Sequence, residues 1–489
     1  MNTGFKSQCV PSYRILTPDQ IEHFHFATME ILETVGVKVL YAEAVELMCD
    51  AGCRMKEDNI VLVPNWLVEK CIRSAPDQIT IFNRLGQKAM HLAGNRVHFG
   101  LGTDLIQTYD LRTGKLRQSR LQDVADAAKI SDYFDEIDFI ASYALPFDSP
   151  ANLMCIDSFK TELENSVKPI FFTAAGQEDL SFIHEMATAV TGGEKAFRKK
   201  PNVIHYSEPL SPLVHTSGAI KKLFFCADKG VPVCYTPGMM SGASAPVTLA
   251  GAIIQGNAEA LSGVVLHQLR AKGAPIISGF GMATMDMKTS ACVYGCPEYR
   301  MALSACADLY HYYGIPMWGT AGASDSNCLD QQAGMEWAMS LLIDGLNGAN
   351  LIHDVAYLGQ GLVGHPAGIV MCSEIISYVK HFVNGFKMDT VHMAKDVIRE
   401  VGPAGNFLST DHTMKFFKQA HWQSMFCNRD TPETWAMKGS PNWGEVSTQK
   451  AIEILDSHKP ESLSDTVRQD LVEIRASAKS ALGDKSFET

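Results

Sequence analysis

The chain has 489 residues, of which 46% are hydrophobic and 20% are charged, a composition typical of a folded globular protein and not of a disordered one. Its formal net charge of −12 argues against nucleic acid as a partner, because nucleic-acid binding needs stripes of Lys and Arg. The 13 cysteines are odd in number and scattered, so we expect reduced thiols in the cytoplasm and no disulfide framework.

The first 95 residues are predicted to form a helical extension with short strands. Residues 1–16 lack the continuous apolar core of a signal peptide, and no run of about 18 apolar residues predicts a membrane span. Thr17-Pro18-Asp19-Gln20 matches a capping box with Pro at the first helical position. Further helices are predicted near residues 41–51 and 64–74, and short strands between residues 78 and 100.

Residues 96–380 alternate between short apolar segments and helix-like stretches. Eight apolar segments stand out: Arg96–Gly100, Ile137–Ala144, Pro169–Ala175, Asn202–Tyr206, Pro232–Thr236, Pro275–Phe280, Pro316–Thr320 and Asn350–Asp354. This alternation predicts parallel strands with helical crossovers, and eight such units can close a TIM (β/α)8 barrel. Residues 381–489 are predicted to be helical elements that pack on the barrel.

The alternative architecture is an open, doubly wound sheet. A dinucleotide-binding sheet of that kind should carry GxGxxG at its first strand–helix turn. Here Phe99-Gly100-Leu101-Gly102 leads instead to Thr103 and Asp104, so the pattern favours the barrel.

Side chains at the ends of the predicted strands are the candidates for a binding site, since TIM barrels place their chemistry where strands end and loops begin. We select as substrate-binding candidates Asp104, His205, Tyr206, Glu208, Tyr235, Phe280, Met282, Gln331, Gln332, His353, Tyr357 and Glu374. Aromatic faces, thioethers and carboxylates of this kind suit a permanent cation. The alternative is structural: Tyr235, Phe280 and Met282 can fill the core, and both histidines can be buried core residues. The pattern singles out no catalytic residue.

The cysteine spacing does not predict a metal site. Cys49 and Cys53 form one close pair and Cys292 and Cys296 another, but neither has a second pair at structural-zinc spacing. No HExxH, GxSxG or EF-hand pattern occurs.

Several ordered segments resemble the trimethylamine methyltransferase family, in its branch without pyrrolysine. The resemblance rests on Asn350-Leu351-Ile352-His353-Asp354, Thr320 to Ser326, Asp330-Gln331-Gln332-Ala333-Gly334, Gly405-Asn406-Phe407-Leu408, His412-Thr413, Trp422, Arg429 and Trp435. It covers most of the chain and is more specific for the family than for the substrate.

The resemblance implies an enzyme that moves a methyl group from a small quaternary amine to the cobalt(I) of a separate corrinoid protein. Glycine betaine is the favoured substrate, with proline betaine, carnitine and butyrobetaine as alternatives. When a quaternary ammonium gives up a methyl group, a neutral tertiary amine leaves. Such a substrate suits a chain without pyrrolysine. No cofactor is expected to be bound permanently, because the corrinoid would be supplied by the partner, and we expect a homo-oligomer.

On this reading, His205, His353, Gln331 and Gln332 are candidates to bind the substrate carboxylate. Asp104 and Glu374 would face the ammonium or orient a histidine.

Two other functions remain open from the sequence. A lyase or decarboxylase acting on a small acid would need an acid–base pair, which His205 with Glu208 or His353 with Asp354 could provide. A non-catalytic protein that binds quaternary amines would use the same candidates without transferring a methyl group.

Overall fold

Eight parallel strands, each followed by a helix, occupy the centre of the chain in a computed structural model that describes residues 7–483. The strands are β1 His98–Leu101, β2 Ile140–Ala141, β3 Ile170–Phe172, β4 Val203–Ser207, β5 Val233–Tyr235, β6 Ile276–Ile277, β7 Trp318–Thr320 and β8 Leu351–Val355. The helices are α1 Leu121–Tyr133, α2 Met154–Asn165, α3 Gln177–Thr191, α4 Ser217–Lys229, α5 Leu249–Arg270, α6 Pro297–Tyr313, α7 Gln331–Asn347 and α8 Pro366–Asn384. The predicted α/β class is confirmed.

The eight strands are divided between two parallel sheets. One sheet has the order β2-β3-β4-β5-β6 and the other the order β7-β8-β1. Isolated parallel bridges connect their edges, from Gly100 to Phe139 and from Ser278 to Met317. The continuous strand pairings therefore form two sheets, and single bridges join each edge of one sheet to an edge of the other.

The strands and helices follow from local sequence. Every residue of β3, β5, β7 and β8 is buried, as expected for strands covered on both faces. Helix α4 begins at the N-cap Thr216 and α7 at the N-cap Asp330, whose side chains accept backbone N–H groups. Helix α4 ends at Lys229 and is capped by Gly230, whose φ of 70° is the left-handed conformation that glycine adopts without strain.

The N-terminal segment packs small elements around the first helix. Helices Pro18–Thr34, Ala42–Asp50 and Asn65–Ser74 are present as predicted, and Thr17 and Gln20 form the predicted capping box. Strands Ile79–Phe82 and Lys88–Leu92 pair as an antiparallel hairpin. A four-stranded sheet joins Val37–Val39, Ile60–Leu62 and Arg54–Met55 to Val214–His215, a strand from the loop after β4.

The C-terminal segment is helical, with bounds Lys395–Val401, Asp411–Ala420, Pro432–Met437, Trp443–Ser457 and Asp465–Leu482. Trp443–Ser457 packs on α8 and α1, and Asp465–Leu482 packs on α3. Strand Phe386–Lys387 pairs with Gln8–Cys9 near the start of the chain. Residues 1–6 of the predicted N-terminal extension and residues 484–489 of the predicted C-terminal elements lie outside the described residues.

Short elements fill the connections. They are the helix Glu194–Lys199, the 3-10 turns Glu57–Asn59, Ala151–Leu153 and Gly359–Gly361, and the strands Gln107–Tyr109, Leu116–Gln118, Gly238–Ser241, Gly281–Met285, Cys292–Val293, Tyr357–Leu358 and Val363–Gly364. Within residues 7–483, α5 alone is long and apolar enough to cross a membrane, and 72% of its most apolar stretch is buried inside the protein.

Acid is expected to destabilise this fold through two fully buried histidines. Burial lowers the pKa of His215 to about 4 and that of His267 to about 3, below the value near 6.5 of an unfolded chain. The stability that depends on their neutral forms is complete above pH 6.5 and is lost as the pH falls toward those values. Each histidine should remove about 2 kcal/mol from the free energy of unfolding between pH 6.5 and pH 5.

Urea unfolding at pH 7 and pH 5 measures this effect. The variant His267→Leu should show a smaller pH dependence than the natural chain, whereas His23→Leu, at an exposed position, should leave it unchanged. An equal change in the free energy of unfolding between pH 7 and pH 5 in all three proteins would refute the assignment.

Candidate substrate site

Four aromatic rings meet on one side of the strands. Phe171 of β3, Tyr206 of β4, Trp318 of β7 and His353 of β8 form the cluster, and His353 touches the other three edge-on, with ring centroids 4.9 to 5.4 Å apart. Tyr206 lies 5.0 Å from Phe171 and nearly parallel to Trp318, at 6.3 Å. We call these four residues the aromatic cluster.

Two carboxylates adjoin the aromatic cluster. Glu208 accepts a hydrogen bond from the Tyr206 hydroxyl. Asp354 accepts one from the Thr320 hydroxyl, and its other oxygen lies 3.0 Å from His353 Nδ1. Burial raises the pKa of Glu208, although its hydrogen bond from Tyr206 opposes that rise. Its side chain is nevertheless exposed, and Tyr206 is half-buried, so these two residues form the accessible part of the site.

The backbone beside the cluster is held in strained conformations. Asp104 has a φ of 69° and Asp354 a φ of 79°, in the left-handed region that costs a non-glycine residue energy. Asp354 and the Tyr357 ring both pack directly against Gly102, where a Cβ atom would overlap them. The Tyr357 hydroxyl donates to the Thr103 carbonyl. The chain after β8 is thereby fixed to the chain after β1.

Five of the predicted residues lie at or beside the site. Tyr206, Glu208 and His353 belong to it directly, and Tyr357 supports it through Thr103. Asp104 faces an adjoining small cavity instead, where its Oδ1 accepts from Ser142 Oγ at 3.2 Å and Thr173 Oγ1 at 3.3 Å. Burial raises the pKa of the Asp104 carboxyl.

The structure places His205 and Tyr235 on the opposite face of the strands. Side chains alternate along a strand, and because Tyr206 faces the aromatic cluster its neighbour His205 faces away. His205 packs 5.0 Å from the Phe172 ring, and burial lowers its pKa well below the usual value. The Tyr235 hydroxyl lies 2.9 Å from His215 Nδ1, and its ring packs against α5 at Gly263.

The other predicted residues also have partners elsewhere. Phe280 packs against α5 at Gly256, and Met282 is fully buried in a ladder with Met239. The Nε2 of Gln332 donates to Glu336 at 3.0 Å, and Gln331 is exposed at the start of α7.

The sequence analysis selected Glu374 as a substrate-binding candidate, but its side chain does not point toward the strand ends. It is buried in α8, where it accepts hydrogen bonds from Ser424 Oγ and from the Met425 N–H at 3.0 Å. This carboxylate anchors the C-terminal segment to α8.

The sequence did not point to Phe171 and Trp318. Both lie inside short buried strands, before the last residue, whereas the selection took only the residues that end each strand. A signal was available, since each is a large aromatic residue inside one of the predicted apolar segments, Pro169–Ala175 and Pro316–Thr320. Among residues 7–483, no group of three His, Cys, Asp or Glu side chains is arranged to hold a metal ion.

The fold has the architecture of crystallised methylamine methyltransferases. The crystal structure of the Methanosarcina barkeri monomethylamine methyltransferase (MtmB) superposes with a TM-score of 0.53 at 11% identity, covering 98% of this chain and 90% of that chain. The crystal structure of the hydroxylamine MtmB complex gives a TM-score of 0.52 at 10% identity, covering 98% and 89%. At such low identity the likeness defines the fold class only.

Sequence comparison gives the family. The family model described as trimethylamine methyltransferase (MTTB) matches residues 2–483. Trimethylamine methyltransferase MttB of Desulfitobacterium hafniense (strain DSM 10664 / DCB-2) is 32% identical over 453 residues, covering 92% of this chain and 90% of that protein. Glycine betaine methyltransferase of Desulfitobacterium hafniense (strain Y51) is 31% identical over 433 residues, covering 88% and 90%.

The chain belongs to the trimethylamine methyltransferase family, which confirms the resemblance seen in the sequence. Its sequence contains no pyrrolysine, which places it in the branch without that residue. It is a methyltransferase that acts on methylated amines.

Proposed function

We propose that this protein transfers a methyl group from a small quaternary amine, with glycine betaine favoured, to the cobalt of a corrinoid carried by a separate protein. The observation that carries the proposal is the aromatic cluster with Glu208 and Asp354 beside it. Aromatic faces attract a permanent cation, and carboxylates add a longer-ranged attraction. The similarity to a glycine betaine methyltransferase supports the choice of substrate.

The site is proposed to lie at the carboxyl ends of a closed (β/α)8 barrel. The two bridges between the sheets support closure, as do the hydrogen bonds Asp138 N–H to Phe99 O at 2.7 Å and Trp318 N–H to Ser278 O at 2.9 Å. In this description, residues 96–380 are the barrel, residues 1–95 are an N-terminal extension, and residues 381–489 pack on its outside.

The contribution of the chain itself is to bind and orient the methyl donor. The Tyr206 ring and the Glu208 carboxylate hold the ammonium on the accessible side, while the buried rings and Asp354 lie behind them. A cobalt(I) corrinoid would supply the electron pair for the new carbon–cobalt bond, and the electrons of the broken C–N bond stay on nitrogen. The amine leaves neutral, so no side chain needs to donate a proton. Orientation of two reactants can supply several kcal/mol of the lowered barrier.

The exposed Glu208 is compatible with a large partner, since it places the accessible part of the site in contact with solvent. No Asp-x-His-x-x-Gly motif for carrying a corrinoid occurs in the sequence, in keeping with a corrinoid held by the partner.

One observation favours a second function. His353 Nδ1 and Asp354 lie 3.0 Å apart, near enough for the acid–base pair that a lyase or decarboxylase would use, although they are not aligned as a hydrogen bond. The other pair considered from the sequence is not formed, because His205 faces away from Glu208.

Purified protein incubated with glycine betaine and a reduced corrinoid protein should produce the absorbance change of methylated corrinoid together with dimethylglycine. Proline betaine, carnitine, butyrobetaine and trimethylamine in parallel reactions define the substrate class. Carbon dioxide or an unsaturated product from a small acid would favour the lyase. Calorimetric binding of betaine without methylated corrinoid would favour a binding protein, and either outcome would refute the transferase.

A further inference from the structure

The connection between β6 and α6 carries a tyrosine that lies outside the aromatic cluster. Tyr294 directly follows the strand Cys292–Val293, which pairs with Gly281–Met285 in an antiparallel hairpin. Its side chain is half-buried, like that of Tyr206. In folds built from alternating strands and helices, the connections that follow the strands carry the residues that bind ligands. Tyr294 is therefore a candidate for contact with the substrate.

A series of ring contacts connects Tyr294 to the aromatic cluster. Its ring centroid lies 5.6 Å from that of Tyr299 in α6. Tyr299 and Trp318 in turn meet above Gly281, where a Cβ atom would stand 3.1 Å from the Tyr299 hydroxyl and 3.0 Å from the Trp318 ring. Because Trp318 belongs to the aromatic cluster, Tyr294 continues the same aromatic surface to a half-buried position.

Tyr294 also lies near the carboxylates of the site. Its ring is 3.6 Å from the point where a Cβ atom would stand on Gly361, in the chain after β8. Burial raises the pKa of the Tyr294 hydroxyl well above its usual value, and the charges of Asp354 and Glu208 raise it further. The hydroxyl therefore stays neutral and lies within electrostatic reach of both carboxylates.

Two other carboxylates hold the Tyr294 loop in place. Asp325, in the chain after β7, accepts the N–H groups of Tyr294 and Gly295, each at 2.9 Å and each on a different oxygen. Glu336 of α7 accepts the Asp325 N–H at 2.8 Å and Ser324 Oγ at 2.6 Å. A Cβ atom on Gly295 would overlap the Glu336 carboxylate, so glycine is needed for this close approach. The loop after β6 is thereby fixed to the loop after β7.

This support opposes an electrostatic penalty. Burial raises the pKa of the Asp325 carboxyl, the hydrogen bonds from Tyr294 and Gly295 lower it, and the charge of Glu336 raises it again. Two adjacent carboxylates are unfavourable by themselves, and loops that only connect elements are usually mobile and variable. The arrangement indicates that the position of Tyr294 matters to the site.

We propose that Tyr294 is a second accessible aromatic wall of the amine site and that Asp325 is the residue that positions it. The methylated ammonium would contact both the Tyr206 and the Tyr294 rings, with Glu208 and Asp354 supplying negative charge. A quaternary ammonium has no N–H to donate, so its recognition depends on ring faces and on charge. This inference rests on the proposed function, because it assigns further residues to the same site.

Calorimetry with glycine betaine tests the aromatic wall. Tyr294→Leu should weaken binding by about 10-fold, the effect of removing a partly exposed cation–π contact. Tyr294→Phe keeps the ring and should bind within about twofold of the natural protein, because the face of the ring and not its hydroxyl attracts the cation. Tyr312→Leu removes an exposed tyrosine from α6 and should bind normally.

A double-mutant cycle tests the positioning role. Asp325→Asn keeps the size of the side chain but replaces one accepting oxygen by an amide NH2, so one loop N–H is released and the affinity should fall about fivefold. In the Tyr294→Leu background the same change should have little further effect, because the ring that Asp325 positions is absent. A residue that only stabilised the fold would cause the same loss in both backgrounds.

The results distinguish failure of this inference from failure of the proposed function. A natural protein that binds no quaternary amine would refute the proposed function and this inference with it. A natural protein that binds glycine betaine, with a Tyr294→Leu variant that is folded by circular dichroism and binds equally well, would overturn the assignment of Tyr294 alone. Equal losses from Asp325→Asn in both backgrounds would overturn its role as the positioning residue.

Discussion

Replacing Glu208 by glutamine is expected to lower kcat/KM for glycine betaine by about 100-fold. Glu208 is the accessible carboxylate of the site, next to Tyr206. A charge about 5 Å from the ammonium contributes about 3 kcal/mol at the effective dielectric constant of a protein surface. Glutamine has the same shape and still accepts the Tyr206 hydroxyl, so the free energy of unfolding should change little.

The pH dependence provides a second measurement of the same residue. Burial raises the pKa of Glu208, and only the ionised carboxylate attracts the substrate cation. The affinity for glycine betaine should therefore fall as the pH is lowered through that raised pKa, and Glu208→Gln should abolish this part of the dependence. Steady-state kinetics across pH measure both effects. Asp50→Asn, at an exposed helix end, serves as the matched control, and a Glu208→Gln variant within twofold of the natural protein would contradict the assignment.

Replacing Tyr206 by leucine is expected to weaken the binding of glycine betaine by about 30-fold, since a partly desolvated cation–π contact contributes about 2 kcal/mol. The Tyr206 ring lies at the centre of the aromatic cluster and remains half-buried, in reach of a ligand. The analogue 3,3-dimethylbutanoate has nearly the shape of glycine betaine and keeps its carboxylate, but a neutral carbon replaces the cationic nitrogen. Its affinity should be low for the natural protein and should change much less in the variant.

Calorimetry with both ligands separates attraction to the cation from simple packing. Tyr206→Phe keeps the ring and loses only the hydrogen bond to Glu208, so it should lie between the natural protein and the leucine variant. Tyr133→Leu removes an exposed tyrosine at the end of α1 and should bind both ligands normally. Equal losses for glycine betaine and for the analogue without the cationic nitrogen in Tyr206→Leu would mean that the ring acts by packing alone.

Part of the site followed from the position of residues along the chain. Tyr206, Glu208 and His353 were selected because they end predicted strands or follow them directly, and the structure brings these three together. Phe171 and Trp318 lie within strands, so a rule based on strand ends could not find them. Glu374 was misplaced because a helical residue several turns from the strand can face any neighbour, and its partners come from residues 424 and 425.

The sequence by itself determined the alternation of strands and helices, the N-terminal capping box and the family, since these depend on local patterns and ordered motifs. Only the tertiary structure decided which face each strand residue takes. In strands buried on both sides, apolar and aromatic residues occupy both faces, so their two-residue period does not tell the inside from the outside. His205 and Tyr206 are both strand residues and both aromatic, yet His205 packs against Phe172 on the helix side of the strand while Tyr206 turns into the site beside His353.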